Sequence, residues 1–176
     1  MESKKFFLID GSSFLYRAYY GSSYLTTKSG TPTGAIYGVL SMFKSLLNVS
    51  KSDLLAVVFD PKGPTMRNDW FSDYKANRTK MPDDLQVQIS PLKEIIHALG
   101  YPLVEKKGIE ADDIIGTLAK KAEKMGFEVI IFSGDKDMAQ LVTDRITVID
   151  QQKKSVWNRE GVKKKFGVSP EQIIDY

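Results

Sequence analysis

Short apolar runs alternate along this chain with longer segments of helical periodicity. Each run is four to six residues long and rich in Val, Ile, Leu and Phe, which is typical of a buried strand. A chain that alternates strands with helices in this way forms βα units and a mostly parallel sheet. The pattern predicts an α/β fold with strands at Lys5–Ile9, Leu54–Phe59, Tyr101–Val104, Glu128–Phe132 and Ile146–Ile149.

Three longer segments are predicted to be helices. Gly34–Asn48 and Ala111–Met125 repeat apolar residues at the spacing of one helix face, and Gly126 is a typical C-terminal stop. Residues 83–99 are also predicted to be helical. Pro91 lies inside this third segment, and we expect it to kink or restart the helix because proline has no N–H and clashes with the preceding turn.

Length and composition predict one domain, residues 1–176, in a reducing compartment. The chain has 42% hydrophobic residues, enough for one core, and no Cys, which excludes disulfides, thiolate zinc sites and cysteine nucleophiles. No apolar stretch approaches the roughly 20 residues of a membrane helix, and the N-terminus lacks the long apolar region of a signal peptide. We therefore expect a cytoplasmic protein without membrane contact, and nothing in the sequence requires more than a monomer.

The net charge of +3 is unevenly distributed along the chain. Residues 61–80 carry a local balance of +3 and residues 151–170 a balance of +5, so the remaining sequence is net −5. Basic segments around an acidic centre suit a polyanionic substrate. Within the second basic segment, the run Lys163–Lys165 is interpreted as a solvated helix face.

Acidic residues recur after the predicted strands, where an open parallel sheet places its ligand crevice. So many like charges in one crevice repel one another unless divalent cations lie among them. Oxygen ligands without Cys, and with a single His in the chain, favour Mg²⁺ or Mn²⁺ over zinc or copper. Two such ions about 4 Å apart would make a phosphoryl-transfer site. The candidate ligands are Asp10, Asp60, Glu110, Asp112, Asp113, Asp135 and Asp137.

Each of these acids also has a purely structural interpretation. Asp is a common N-cap, and acids in a first helical turn favour the helix dipole, which would account for Glu110–Asp113 and for Asp135 or Asp137. Asp10 and Asp60 fit the turns that follow strands. For each residue taken singly both interpretations stay open. The recurrence of acids at four separate strand ends favours a shared metal site.

The residue patterns of several other enzyme classes do not occur in this sequence. His97 lies in an amphipathic helical pattern and is interpreted as a helix-surface or core-edge residue, so no Ser-His-Asp triad or histidine-based mechanism is supported. No G-x-x-x-x-G-K-[ST] segment is present, which argues against a P-loop nucleotide hydrolase. Water activated by the metal ions is therefore the expected nucleophile, attacking a phosphodiester in line.

The segment after the second predicted strand interleaves cations with aromatic residues, a mixture that can contact phosphates and stack on bases. Trp70 and Phe71 are interpreted as anchors that hold this loop on the core. The better candidates for substrate contact are Tyr74, Lys75 and Arg78. The two cations of this set are expected to stabilise charge on the phosphate during catalysis.

Five motifs follow one another in order along the chain. They are Leu8-Ile-Asp-Gly-Ser-Ser-Phe-Leu-Tyr-Arg-Ala-Tyr, Phe59-Asp followed by Gly63-Pro-Thr-Met-Arg, Tyr74-Lys-Ala-Asn-Arg, Gly108-Ile-Glu-Ala-Asp-Asp and Ser133-Gly-Asp-Lys-Asp-Met-Ala-Gln-Leu. On these motifs the chain resembles the 5'-nuclease domains of bacterial DNA polymerases I, within the flap-endonuclease and PIN-like superfamily. The resemblance implies a three-layer α/β/α fold with a mostly parallel central sheet and a helical arch near residues 75–90. It also implies removal of 5' flaps and RNA primers, with two divalent ions, in DNA replication and repair.

The resemblance implies roles for individual residues as well. Asp10, Asp60, Glu110 and Asp112 would surround one ion. Asp112, Asp135 and Asp137 would surround the second, with Asp113 outside both ligand sets. The residues implied to hold the scissile phosphate or to thread the single-stranded 5' end are Arg17, Arg67, Tyr74, Lys75 and Arg78.

The family continues with a Gly-Asp-x-x-Asp-Asn segment and a helix-hairpin-helix element that do not occur in these residues. The resemblance therefore implies the N-terminal part of a larger nuclease or polymerase, acting on flapped or nicked DNA at the nucleoid, with an incomplete second ion site. A non-catalytic nucleic-acid-binding module and a standalone flap nuclease stay open as alternatives. An aspartyl phosphatase is disfavoured because Leu8-Ile-Asp-Gly-Ser lacks the second Asp of an Asp-x-Asp start.

Overall fold

The computed structural model describes residues 4–21, 24–49, 54–71, 73–75, 79–151 and 153–176. The strands in these ranges are Lys5–Asp10 (β1), Leu54–Val58 (β2), Leu103–Val104 (β3), Glu128–Phe132 (β4), Ile146–Asp150 (β5) and Ser155–Trp157 (β6). They form one sheet in the order β3-β2-β1-β4-β5-β6. The first five strands pair in parallel, and β6 runs antiparallel to β5.

Helices connect the strands and cover both faces of the sheet. They are Gly11–Gly21 (α1), Gly34–Val49 (α2), Met66–Trp70 (α3), Asp83–Ala98 (α4), Ala111–Lys124 (α5) and Arg159–Phe166 (α6). Two short 3₁₀ helices follow at Lys136–Leu141 and Pro170–Asp175. Within the described residues, no helix is both long and apolar enough to cross a membrane.

Alternate side chains of β1 enter two separate cores, because successive residues of a strand point to opposite faces. Leu8 packs in a cluster that includes Ile115 of α5, whereas Phe7 and Ile9 pack in a cluster that includes Phe43 of α2. Burying each such side chain contributes roughly 1.5 to 3 kcal/mol. The predicted three-layer α/β/α arrangement with a mostly parallel sheet is confirmed.

The five predicted strands are all present; β4 has the predicted bounds, and each of the other four differs at one end by one or two residues. The predicted helices correspond to α2, α4 and α5, and Gly126 ends the last of these in a left-handed conformation with φ of 87°. Periodicity in the sequence did not indicate α1 or β6. Helix α1 follows β1 without a loop, and β6 is only three residues long.

Of the two outcomes expected at Pro91, the restart is wrong, since α4 runs as one helix through this residue, and the kink stays a prediction. Residues buried before and after the proline, such as Leu85 and Leu92, lie in the same core. Packing of both halves on one surface keeps the helix continuous despite the missing N–H. The arch near residues 75–90 stays a prediction, because residues 76–78 lie outside the described ranges and residues 83–90 form the first half of α4.

Candidate active site

The candidate site lies between β1 and β4, where the order of the sheet reverses. From β1 the chain moves outward to β2 and β3, and then returns to place β4 on the other side of β1. In open α/β sheets such a switch point, outside the carboxyl ends of the strands, is where ligands bind. Asp10 ends β1 at this point, and the turn formed by Ser133, Gly134 and Asp135 follows β4.

Asp10 is buried, with 4% of its surface exposed, and two hydrogen bonds hold its carboxylate. The Ser13 amide donates to Oδ1 over 2.9 Å, and the Ser133 hydroxyl donates to Oδ2 over 2.7 Å. The Ser133 oxygen also accepts from the Asp135 amide over 3.1 Å. One buried hydroxyl therefore joins the ends of β1 and β4.

Asp135 has the capping role that the structural interpretation predicted, whereas Asp60, which that interpretation placed in a turn, also accepts from the backbone of a helix start. The Asp135 carboxylate accepts from the Asp137 amide over 2.9 Å, at the start of the 3₁₀ helix Lys136–Leu141. The Asp60 carboxylate accepts from the Ala111 amide over 2.8 Å, at the start of α5. By this bond Asp60 sets the position of the first turn of α5, which carries Asp112.

Burial and mutual repulsion raise the pKa of two of these acids. Burial raises the pKa of Asp10 to about 6, against the hydrogen bonds that it accepts, and repulsion from Asp60 and Asp135 adds to the rise. Burial likewise raises the pKa of Asp112 to about 7, with further repulsion from the other three acids. Asp10, Asp60, Asp112 and Asp135 thus form one cluster of negative charge, which we call the acidic wall.

Glu110 faces a second group of side chains, which we call the cationic wall and which consists of Arg67, Tyr74 and Lys75. Glu110 is 6% exposed and accepts hydrogen bonds from Lys75 Nζ over 2.9 Å, from Arg67 Nη1 over 2.8 Å and from the Tyr74 hydroxyl over 3.2 Å. Burial acts to raise the pKa of Glu110, but the hydrogen bond and charge of Lys75 and the charge of Arg67 outweigh it. The pKa is lowered as a result.

Arg67 also holds Asp113 by a bidentate pair, with N–O distances of 2.7 and 2.8 Å. The hydrogen bond to Asp113 is the main reason that the pKa of Arg67 is raised. Asp113 is exposed on α5 and faces Arg67, in keeping with its predicted place outside the ligand sets. That place stays a prediction. The pair connects α3 to the first turn of α5.

Local sequence explains how the cationic wall reaches Glu110. Thr65 and Asn68 form a capping box that starts α3, and the Met66 amide donates to the Gly108 carbonyl over 2.9 Å. Lys75 adopts a left-handed conformation with φ of 58°, and its Nζ lies 4.8 Å from the centre of the Tyr74 ring. This turn directs both Tyr74 and Lys75 at Glu110. Arg78, predicted to act with them, lies outside the described residues.

Two clefts meet at Glu110, which lines both of them. The first has a volume of about 540 Å³, and its lining residues include Arg67, Asp112, Asp113 and Asp137. The second has a volume of about 490 Å³, and its lining residues include Asp60, Lys62, Lys75 and Lys93. Both clefts therefore pair acids with cations, and the fold brings Asp137 to the same region as the other predicted ligands.

The donor set consists of carboxylate oxygens, which fits a hard divalent cation. Among the described residues, however, no three acidic or histidine side chains stand close enough together to hold an ion as they are now placed. Glu110 is engaged by Lys75 and Arg67, and Asp60 and Asp135 are engaged by backbone amides. Ligation by Glu110 would require it to exchange these partners. The ligand assignments implied by the resemblance stay predictions.

The structure places Arg17 in contacts that the sequence did not indicate. Its Nη1 donates to the buried Asp150 over 2.9 Å, and its guanidinium lies against Gly134. Asp150 ends β5 and was not among the candidate residues, although the strand-end rule that selected Asp10 applies to it equally. Ser133 was also missed. Its position directly before the Gly-Asp turn was the available signal.

The interpretation of Trp70 and Phe71 as anchors on the core is wrong. Trp70 is 76% exposed and Phe71 is 62% exposed, because α3 is only five residues long and none of its residues is buried. The other two interpretations of this kind are confirmed. His97 is exposed in the last turn of α4, and Lys163–Lys165 are exposed on α6, although Lys165 Nζ also lies 3.7 Å from the centre of the buried Trp157 ring.

Comparison with known proteins gives one family match and several relatives. Residues 5–167 match the family described as 5'-3' exonuclease, N-terminal resolvase-like domain. The chain is 53% identical over 169 residues to DNA polymerase I of Pseudomonas aeruginosa, covering 96% of this chain and 18% of that protein. It is 46% identical over 173 residues to the 5'-3' exonuclease of Aquifex aeolicus, covering 98% of this chain and 60% of the relative. The chain thus spans less than two thirds of the length of either relative.

Solved structures share the fold at lower identity. The T5 D15 protein co-crystallised with metal ions has a TM-score of 0.77 and 21% identity, with 97% of this chain and 64% of that chain covered. A complex of the bacteriophage T5 D15 flap endonuclease with DNA and metal ions has a TM-score of 0.73 and 19% identity over the same shares. At these identities the likeness establishes the fold.

Proposed function

The chain belongs to the family of 5'-3' exonuclease N-terminal, resolvase-like domains, and on this premise we propose that it is the catalytic domain of a divalent-metal-dependent nuclease. The substrates are duplex DNA with a 5' flap or nick and RNA primers, and the reaction is hydrolysis of a phosphodiester that leaves a 5'-phosphate. The domain spans residues 1–176 and works as a monomer on cytoplasmic DNA, as part of a protein that continues with a helix-hairpin-helix element and, in the polymerase I case, with polymerase domains.

The observation that carries this proposal is the position of the two walls. Carboxylates from the ends of β1 and β2, the start of α5 and the turn after β4 form the acidic wall at the switch point of the sheet. The cationic wall lines the same two clefts as Asp60 and Asp112 and reaches Glu110. A phosphodiester with its counter-cations has both positive and negative groups, so a site with both kinds of wall is complementary to it.

The acidic wall would hold the cations, Mg²⁺ or Mn²⁺. Asp10, Asp60, Glu110 and Asp112 are the proposed ligands of one ion, and Asp112, Asp135 and Asp137 those of the other. When bound, such ions lower the pKa of water and neutralise charge on the reacting phosphate. The raised pKa values of Asp10 and Asp112 support this assignment, because carboxylates that are buried and also repel one another are stabilised by a shared cation.

The cationic wall would hold the substrate. Lys75 and Arg67 are proposed to exchange Glu110 for the phosphate oxygens, and Lys75, with Arg78, to stabilise the charge that develops there. Tyr74 offers a ring for stacking on a base next to the phosphate and a hydroxyl for hydrogen bonding. Arg67 and Lys75 are about one third exposed, so a substrate can reach both.

The proposal is tested by cleavage of a 5'-labelled flap duplex with and without Mg²⁺. We expect metal-dependent cutting by the parent chain, or by a chain extended by about a hundred residues, the size of one further small domain. Asp112→Asn should abolish it. Asp69→Asn is the matched control, because Asp69 is an exposed acid on the neighbouring helix α3. Binding of the flap without cutting by either length would overturn the catalytic proposal and favour a nucleic-acid-binding module.

A further inference from the structure

Arg17 forms an ion pair with a buried carboxylate in this fold. Its Nη1 lies 2.9 Å from Asp150 Oδ1, and the side chains of the two residues are 16% and 0% exposed. Asp150 also accepts from the Lys153 amide over 3.3 Å. A buried pair of this kind is costly to break, because either charge left alone would remain out of water. The guanidinium is therefore held in place by the end of β5.

The same guanidinium lies against the backbone of Gly134. A Cβ built on Gly134 would lie 1.4 Å from Arg17 Nη2 and 2.6 Å from Cζ, so a side chain at this position and the present guanidinium exclude each other. Contact this close requires glycine. Gly134 is the middle residue of the turn after β4, directly before Asp135.

The two neighbours of Gly134 are held by hydrogen bonds in which Arg17 takes no part. The Ser133 hydroxyl donates to Asp10, and its oxygen accepts from the Asp135 amide. Asp135 in turn caps the 3₁₀ helix that carries Asp137. The turn is thus bound by Ser133 to the end of β1 and bordered by Arg17, which is bound to the end of β5.

We propose that Arg17 is a positioning residue that, with Asp150 as its anchor, sets the turn carrying Asp135 and Asp137 and thereby the affinity of the acidic wall for divalent cations. This role differs from direct contact with phosphate, which the resemblance implies for Arg17. The inference rests on the proposed function, since it takes Asp135 to be a metal ligand. Partners outside the ligand shell commonly change metal affinity by about 10- to 100-fold when removed.

The first test is Mn²⁺ affinity of the full chain by isothermal titration calorimetry. Arg17→Ala and Asp150→Asn should each weaken it about tenfold. The double variant should show the same tenfold loss, because both changes remove one unit. Urea unfolding of each variant shows whether it is folded at the titration temperature. The inference requires the loss of Mn²⁺ affinity in variants that remain folded, because an unfolded chain would lose affinity for another reason.

The second test uses Gly134→Ala, which leaves both members of the buried pair intact. In the parent the new methyl group must displace the guanidinium, and Mn²⁺ affinity should fall about tenfold. In the Arg17→Ala background the space is free, so the same substitution should cost less than twofold. Equal losses in both backgrounds would overturn the proposal.

Two controls separate this inference from the proposed function. Asp135→Asn should weaken Mn²⁺ binding, and if it does not, the metal assignment itself fails. If Asp135→Asn weakens binding while Asp150→Asn and Gly134→Ala leave it unchanged, only the positioning role fails. Affinity for a 5'-flap duplex in EDTA should stay within twofold of the parent in Asp150→Asn. A loss of DNA affinity there with unchanged Mn²⁺ affinity would assign Arg17 to the phosphate instead.

Discussion

Asp10 and Glu110 are both buried carboxylates at one edge of the sheet, yet their surroundings move their pKa values in opposite directions. Asp10 belongs to the acidic wall, where burial and neighbouring acids raise its pKa to about 6. Glu110 faces the cationic wall, where Lys75 and Arg67 lower its pKa. The difference follows from the elements of the fold that carry each carboxylate and its neighbours. Asp10 stands at the end of the central strand β1, whereas the partners of Glu110 come from α3 and the turn after it.

The contrast teaches how one crevice can serve both a cation and an anion. The acidic wall is held by strand ends and backbone amides. Its carboxylates repel one another, so a bound cation would stabilise them. The cationic wall is satisfied by Glu110 and Asp113, which are contacts of its own chain. Glu110 is the residue where the two walls meet, and its exchange of partners would couple cation binding to substrate binding.

After the loss of cleavage expected for Asp112→Asn in the acidic wall, the next largest effect is expected from removing charge from the cationic wall. Lys75→Met keeps most of the length of the side chain but loses the positive charge, and with it the contact of Nζ with the Tyr74 ring. We expect cleavage of a 5'-flap duplex in Mg²⁺ to fall by about 10²-fold, as is typical for loss of a group that stabilises transition-state charge. Lys75→Arg should retain part of the activity.

The matched control for this prediction is Lys80→Met. Lys80 is 84% exposed in its side chain and pairs with Asp83 outside the crevice, so its loss should change cleavage less than twofold. Similar cleavage rates for Lys75→Met and Lys80→Met would show that Lys75 does not stabilise charge on the phosphate as proposed.

An intermediate effect is expected when the acidic wall is titrated without metal. The pKa values of Asp10 and Asp112 are raised in the folded state, from an ordinary 3.8 to about 6 and about 7. Their contribution to stability is therefore fully present below pH 3.8 and is lost as pH rises through these folded-state values. In EDTA, the free energy of unfolding of the parent should fall between about pH 5 and about pH 8. The fall should be about 2 kcal/mol larger than in the double variant Asp10→Asn/Asp112→Asn, a figure reduced because solvent partly screens the charge of Asp112.

Urea unfolding at a series of pH values measures this difference directly. Saturating Mg²⁺ should remove most of it in the parent, because the cations replace the missing positive charge, and should leave the double variant unchanged. Parallel pH profiles for the two proteins in EDTA would mean that burial and mutual repulsion do not raise the pKa values of Asp10 and Asp112.

The smallest effect concerns the contact between the walls. Glu110→Gln removes the charge that holds Lys75 and Arg67, so both become more available to phosphate. Affinity for a flap duplex in EDTA, measured by fluorescence anisotropy, should rise about threefold, in line with the modest energy of partly exposed ion pairs. Glu160→Gln, an exposed acid at the start of α6, controls for the change in net charge. Equal gains in DNA affinity in the two variants would show that the effect comes from net charge and not from the release of Lys75 and Arg67.

Much of the fold was predictable from local pattern. The strands β1, β2, β4 and β5 are runs of apolar residues, and α2 and α5 carry one apolar face each, so periodicity located them within one or two residues. The continuity of α4 through Pro91 was not predictable in this way. It depends on Leu85 and Leu92 packing in the same core, a fact of the assembled structure.

The sequence alone determined which acids lie at one edge of the sheet, because the carboxyl ends of parallel strands share that edge and Asp10, Asp60 and Asp135 each lie within three residues of such an end. Only the tertiary structure decided which charges pair. Arg17 and Asp150 lie 133 positions apart, and Arg67 and Asp113 lie 46 apart. Such contacts depend on how helices pack on the sheet and on the close approach that glycine permits, and neither is encoded in the periodicity of any single segment.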